Sequence, residues 1–377
     1  MMKKYIYILL SFAITLISAC NTEVDLCYSE HPHHTETKIA FDWQVLGDSL
    51  AQPDSMMVFA DRIVNKWKCG MTASSSNDTA SYAIRQGEYK MMVLNRCDST
   101  YNYETLDSVA NSDSTRWNLD KMALNYVAYS KDSKPIKKVL QSWTDYNVYA
   151  SFAQNSSKQV FVDIQDIVKI DSGSNNKVVF TPERLTQKVV MQFPVKKLIT
   201  DTKTFRIDSM FVEVAGIPTV IYPYDNTVNV TKTCKMLTKA RLINATTLNT
   251  GDEYSNENLL CRIGVDVNGI IYGTSENEAS GPGILQVILF TTATGQDGKI
   301  QHRRIEGKIN IFHSIHDAHL LDYEYGTEFA TQATKYAFIN INATLVLDSK
   351  NIVRDSDGNW GIPSWIPCET QVVVPME

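Results

Sequence analysis

Along most of the chain, apolar residues recur at every second position. In Lys38–Trp43 (KIAFDW), Ile39, Phe41 and Trp43 alternate with Lys38, Ala40 and Asp42, the period at which the side chains of an extended strand share one face. The same period runs through Gln159–Gln165 at Val160, Val162 and Ile164, and through Lys188–Val195 at Val189, Met191, Phe193 and Val195. It returns in Phe338–Asp348 at Phe338, Ile339, Ile341, Leu345 and Leu347. Each run predicts a strand with one covered face. Stretches rich in Ser, Asn, Asp and Gly at 73–81, 171–177 and 273–283 punctuate them as loops do. Helical patterning is scarce: Thr115–Ser130 carries Trp117, Met122, Leu124 and Val127 at positions that fit either period, and its β-branched and aromatic end favours strand. The expected fold class is all-β, of antiparallel sandwich layout. The length fits two bodies, with a linker at 171–185 dividing an N-terminal β-sandwich at 38–175 from a C-terminal one at 176–377.

The first residues depart from this pattern. Met1–Lys4 (MMKK) is followed by the apolar run Tyr5–Ile17 and then by Ser18, Ala19 and Cys20. Two lysines, a short apolar core and small residues before a cleavage point make residues 1–19 a secretory signal peptide, too short for a spanning helix. A cysteine directly after Ile17-Ser18-Ala19 resembles the bacterial lipobox, in which the cysteine sulfur is acylated and becomes the new N-terminus. Cys20 is thus the expected lipidation site, and residues 20–37 a tether. Each buried methylene of an acyl chain contributes about 0.8 kcal/mol, so two or three chains hold where one does so marginally. The expected location is the outer membrane, lipid-anchored. Glu23 and Asp25, just after the anchor, resemble the tag that sends such lipoproteins to the outer face, so a surface-exposed body is expected.

Composition removes several alternatives. The formal charge is −6 and the lysines and arginines form no basic block, which argues against nucleic acid as a partner. With Cys20 assigned to lipid, Cys27, Cys69, Cys97, Cys234, Cys261 and Cys368 remain; six cysteines allow about 15 connectivities, and the spacing selects none. None forms a CxxC pair, so a thiolate zinc site or thioredoxin-type redox centre is not expected.

The histidines fall mostly in two groups, His31, His33 and His34, and His313, His316 and His319 in HSIHDAH. Three imidazoles can bind zinc, but the second group shares no single face as strand or helix, and no HExxH supplies a general base. Arg354–Trp360 (RDSDGNW) alternates carboxylates as calcium loops do, yet its glycine is misplaced for an EF-hand and Asp357-Gly358 suits a hairpin turn. No GxSxG, GxxxxGK[ST] or GxGxxG occurs. No catalytic residue, metal or cofactor is assigned. Asp followed by Ser or Thr and a small or apolar residue begins at Asp48, Asp54, Asp78, Asp98, Asp107, Asp113 and Asp208, which resembles an O-glycosylation sequon of exported proteins in some gut-type anaerobes.

After Cys20 come Leu26, Cys27, Tyr28, His31, Pro32 and His33, then Phe41, Asp42 and Trp43. This order resembles the N-terminal signature of fimbrillin-like lipoproteins of the minor fimbrial anchor type. Ile84–Asn95, with Gly87, Tyr89 and Asn95, is similar to the strand that follows in that family, and Arg206–Val220 and Arg304–Phe312 are similar to strands of its second domain. Where the family usually continues after FDW with Ala-Pro and an aromatic-Pro step, this chain has the longer Gln44–Ile63. The resemblance implies two transthyretin-like Greek-key sandwiches, no enzymatic activity, and a role in anchoring or assembling fimbriae through contacts with fimbrial subunits or other surface proteins. An unpaired sheet edge can accept a partner's strand without any catalytic residue, and the alternation at Thr370, Val372 and Val374 near the C-terminus predicts a strand that completes its own domain. The alternative partner is a glycan, which the 18 tyrosines and 6 tryptophans could stack.

Overall fold

The computed structural model describes residues 34–43, 52–64, 68–75, 80–104, 118–127, 152–153, 159–172, 175–200, 202–244, 258–278, 280–324, 326–348, 353–354, 360–362 and 366–367. Strands dominate them, in four sheets. The first sheet orders β10 (Asn176–Phe180), β1 (His34–Phe41) and β4 (Ala80–Arg85). The second orders β11 (Glu183–Arg184), β9 (Phe161–Ile170), β5 (Gly87–Leu94), β2 (Ser55–Arg62) and β3 (Lys68–Ser74). The third runs β15 (Arg241–Asn244), β16 (Asn258–Val267), β12 (Gln187–Leu198), β22 (Ala343–Asp348), β25 (Ile366–Pro367), with β21 (Tyr336–Asn340) also on β12. The fourth runs β19 (Leu321–Asp322), β20 (Phe329–Gln332), β14 (Thr227–Lys239), β13 (Thr202–Tyr222), β17 (Ile284–Gly295), β18 (Ile300–Asn310), β24 (Trp360–Ile362), β23 (Val353–Arg354). Joined to it are β6 (Tyr101–Glu104), β7 (Ala123–Tyr126) and β8 (Phe152–Ala153). A short helix, α1 (Phe312–Ala318), follows β18.

The second sheet explains the layering. Met56, Val58 and Ala60 of β2 and Tyr89, Met91 and Val93 of β5 pack into one core with Ile39, Phe41 and Phe180 of the first sheet. The intervening residues Phe59, Met92 and Leu94 point the other way, into a larger core with Val189, Met191 and Phe193 of β12. Both faces are therefore covered, and strands covered on both faces read as unbroken apolar runs, here Met56–Ala60 and Met91–Leu94. Each such side chain, fully buried, is worth roughly 1.5–3 kcal/mol against exposure.

Strand β1 shows the expected alternation: Ile39 and Phe41 are buried and Lys38 is exposed. Trp43 lies just beyond the strand, buried edge-on against Phe161 at 5.6 Å, and donates its indole N–H to the Ser75 carbonyl at 2.9 Å. Val189, Met191, Phe193 and Val195 are all buried, as their period predicts.

Other expectations change. The 171–185 stretch, read as a linker, holds β10, which pairs in parallel with β1, and β11, which pairs with β9. Val162 and Ile164 are only half-buried, because they meet the larger core at its margin while their neighbour Phe161 enters the smaller one. Phe338 does not join the face of Ile339 and Ile341; it lies half-buried beneath the Arg262 guanidinium, 5.9 Å from its ring centroid. Within Thr115–Ser130, the described residues 118–127 hold a tight turn, Leu119–Lys121, and then β7. On either side of 355–359, β23 and β24 pair antiparallel, as a hairpin requires. The sequence beyond Pro367, including Thr370, Val372 and Val374, lies outside the described residues.

Candidate functional site

The edges of the sheets differ in how they are covered. Beside β10, Gln165 of β9 donates to the Val179 carbonyl at 2.8 Å and Asp163 accepts from the Thr181 amide at 2.7 Å, so side chains occupy backbone groups along this edge. On β3 the Tyr82 hydroxyl donates to the Thr72 carbonyl at 2.8 Å. Such devices blunt an edge.

Along the first half of β13, no such side-chain cap is found among the described residues. Its pairing with β17 runs from Thr202↔Gly295, whereas its pairing with β14 begins only at Phe211↔Lys239. Thr202–Ser209 thus has a strand neighbour on one side only among the described residues. With the end of β17 and the start of β18 it forms a three-stranded finger at one end of the sheet, where Thr291 and Ala293 remain buried. Phe205 and Ile207 are half-buried against the core margin, while Lys203, Thr204, Arg206 and Asp208 are exposed. This edge is chemically competent for strand pairing: extended backbone, one half-apolar face, no proline. Two features moderate it. Register shifts fall between Thr202 and Thr204 and between Ile207 and Ser209, and charges line the exposed face. Those charges are partly satisfied within the finger: Arg206 pairs with Asp208 at 2.8 Å, and Asp208 accepts from the Thr292 hydroxyl at 2.5 Å, which with Arg206 holds its carboxyl below the usual range.

At α1, HSIHDAH becomes one short helix ending at His319, whose φ of 46° is left-handed. His313 pairs with Glu276 at 2.6 Å, His316 with Asp317 at 3.2 Å and His319 with Asp322 at 3.0 Å, so each imidazole answers to a different carboxylate. Beside them is a cavity of about 220 Å³. Buried Ile270, Ile315, Leu320 and Leu321 form its base, and half-buried Tyr272 and Tyr323 with exposed His316 and His319 form its walls. Tyr272 meets Phe312, His316 and Tyr323 edge-on at 5.0, 5.4 and 5.5 Å, and Phe312 stacks on His316. The segment ahead of Tyr272 is held by a bulge in β13: Gly216, at φ +85°, accepts from the Ile271 amide at 2.8 Å.

Of the residues singled out in the sequence, Cys20, Leu26, Cys27, Tyr28, His31, Pro32 and His33 lie outside the described residues. Phe41 and Trp43 stand in the smaller core, and Asp42, half-buried, donates its amide to the Phe180 carbonyl at 2.7 Å. Cys69, Cys97, Cys234 and Cys261 stand as thiols; burial pushes the Cys234 thiol up to about 12 and raises those of Cys69 and Cys261. Two sequon hydroxyls, Ser55 and Ser99, are exposed. A third, Ser209, has its oxygen buried within β13, out of reach of a transferase. The open edge at Thr202–Ser209 and the Tyr272 pocket were not found from sequence. The first depends on where β14 stops, the second on residues about 50 positions apart; neither leaves a local signal beyond alternation.

No family model matches the chain, and no curated protein resembles it in sequence. Solved structures do align along most of its length. A candidate adhesin of Bacteroides ovatus is 12% identical, with 89% of this chain and 94% of that one covered at a TM-score of 0.46. The fimbrial anchor protein Mfa2 of Porphyromonas gingivalis is 8% identical, covering 89% and 99% at 0.39. A candidate polysaccharide-binding protein of Bacteroides thetaiotaomicron is 11% identical, covering 84% and 92% at 0.39.

Proposed function

We propose that this chain is a non-enzymatic cell-envelope lipoprotein of fimbrillin-like type. It is held to the outer membrane by acyl chains on Cys20 and anchors or assembles fimbriae or other surface adhesive structures by accepting a strand from a partner. The tether rests on the lysines, apolar run and Ile17-Ser18-Ala19-Cys20 of the N-terminus. The contact rests on one observation: Thr202–Ser209 of β13 lacks a second strand neighbour among the described residues, while the edges at β10 and β3 are capped by side chains. An added strand at this edge would gain backbone hydrogen bonds with net worth of roughly 0.5–1.5 kcal/mol each. The carboxyl-terminal stretch would complete its own domain rather than leave it, which suits an anchor more than a polymerising subunit.

A photo-crosslinking amino acid in place of exposed Lys203, installed in cells carrying the lipid-anchored chain, tests this. Capture of a second envelope protein from Lys203, but not from exposed Lys169 on β9, is expected. Equal capture from both, or none from Lys203, would contradict the assignment of the edge.

A further inference from the structure

We infer that the Tyr272–His316 pocket is a binding site for a single pyranose ring of a glycan, separate from the β13 edge and independent of the strand-addition reading. Size is the first reason. At about 220 Å³ the cavity is smaller than the roughly 300–1,000 Å³ of sites that hold drug-sized molecules, which limits the occupant to about one ring.

Polarity is the second reason. The base of Ile270, Ile315, Leu320 and Leu321 is aliphatic, and Tyr272 and Tyr323 add aromatic surface. The polar side chains among the lining residues are the two tyrosines and the two histidines. A pyranose has the matching division, with C–H groups on its faces and hydroxyls around its perimeter.

The third reason is the state of the His316 imidazole. An ionised carboxylate only accepts, so Asp317 accepts a hydrogen bond from His316 Nδ1, while His319 Nε2 lies 3.0 Å from an Asp322 oxygen as a charge contact. When neutral, the His316 ring then has Nε2 as an acceptor, because the bond made by one nitrogen sets the tautomer at the other. That acceptor, with the hydroxyls of the lining Tyr272 and Tyr323, suits sugar hydroxyls. No carboxylate or ammonium group lines the cavity, so it favours an uncharged occupant over an ion.

Preorganisation is the fourth. Tyr272 is braced by Phe312, His316 and Tyr323, and the Asn310 amide ties the following loop to the end of β18, just ahead of α1, by donating to the Ser275 and Glu278 carbonyls at 3.1 and 3.0 Å. A wall fixed before binding loses little further freedom when the ligand arrives.

Saturation-transfer NMR on the detergent-extracted lipoprotein, with methyl glycosides of glucose, galactose, mannose, fucose and N-acetylglucosamine as probes and sorbitol as the open-chain control, tests the inference. Transfer to the ring protons of at least one pyranoside and none to sorbitol is expected, falling at least about tenfold in His316→Ala and Tyr272→Ala but unchanged in His302→Ala on the finger. Should Tyr272→Ala fail to fold, His319→Ala takes its place, since that side chain is exposed. Absence of transfer from every pyranoside, persistence of transfer in folded His316→Ala and His319→Ala, or a preference for N-acetyltyrosinamide over all five sugars would overturn it.

Discussion

Trp43 shows how a single residue sets the smaller core. Its ring fills space between β1 and Phe161, and its one polar atom is satisfied by the Ser75 carbonyl, so burial leaves no unpaired donor. Trp43→Ala should lower unfolding free energy by about 3–5 kcal/mol in denaturant titration, whereas Trp43→Phe should recover much of that. Lys335 makes the opposite kind of prediction. Its ammonium is largely enclosed and donates to the Leu185 carbonyl, Asn226 and Gln332 at 3.3, 3.0 and 2.6 Å, and burial lowers its pKa to about 8. An unfolded lysine ionises near about 10.4. Between these values the unfolded chain binds a proton that the folded chain has lost, so stability rises with pH from about 8 to about 10. Allowing for its partial exposure, the gain is on the order of 1–2 kcal/mol. Burial-raised thiols and tyrosines work against it over the same range, but they are common to wild type and Lys335→Met. The difference between the two proteins should therefore climb across this window; a flat difference would remove Lys335 from the account.

At the scale of elements, the bulge at Gly216 is the sharpest constraint. A side chain there would put its Cβ 2.5 Å from the Ile271 carbonyl oxygen and 3.0 Å from Pro282, at a φ of +85° that disfavours any residue but glycine. Gly216→Ala should cost more than the roughly 1–2 kcal/mol of the left-handed conformation alone, read as a lowered melting temperature. Strand periodicity made β1, β9 and β12 legible, because alternation is local. The pairing of Asn176–Phe180 with β1 was not legible: its partner lies about 140 residues away, and the Ser/Gly/Asn-rich segment just before it carries every mark of a boundary. HSIHDAH was equally mute. A helix of about two turns carrying a single buried residue, Ile315, has no hydrophobic period to read.

In the whole molecule, the second sheet is the joint. Because β2 and β5 give alternate side chains to two cores, the smaller core is not a separable appendage of the larger one. A lysine adds to the joint: Lys90 of β5 bonds Asp120 and the Tyr224 hydroxyl, both at 2.9 Å, across to elements of the larger core. The cores were foreseeable from composition, but their sharing of a sheet was not, since an unbroken apolar run does not say what covers each face. Within this frame the β13 finger stands out as extended backbone with a strand neighbour on one side only among the described residues. Hydrogen–deuterium exchange of that segment, in the chain alone and in the assembly extracted from the envelope under mild detergent, is the most direct measurement. Amides of Thr202–Ser209 should exchange at least about tenfold more slowly in the assembly, with the amides of β10 unchanged; equal exchange of the finger in both states would mean that no strand is added there.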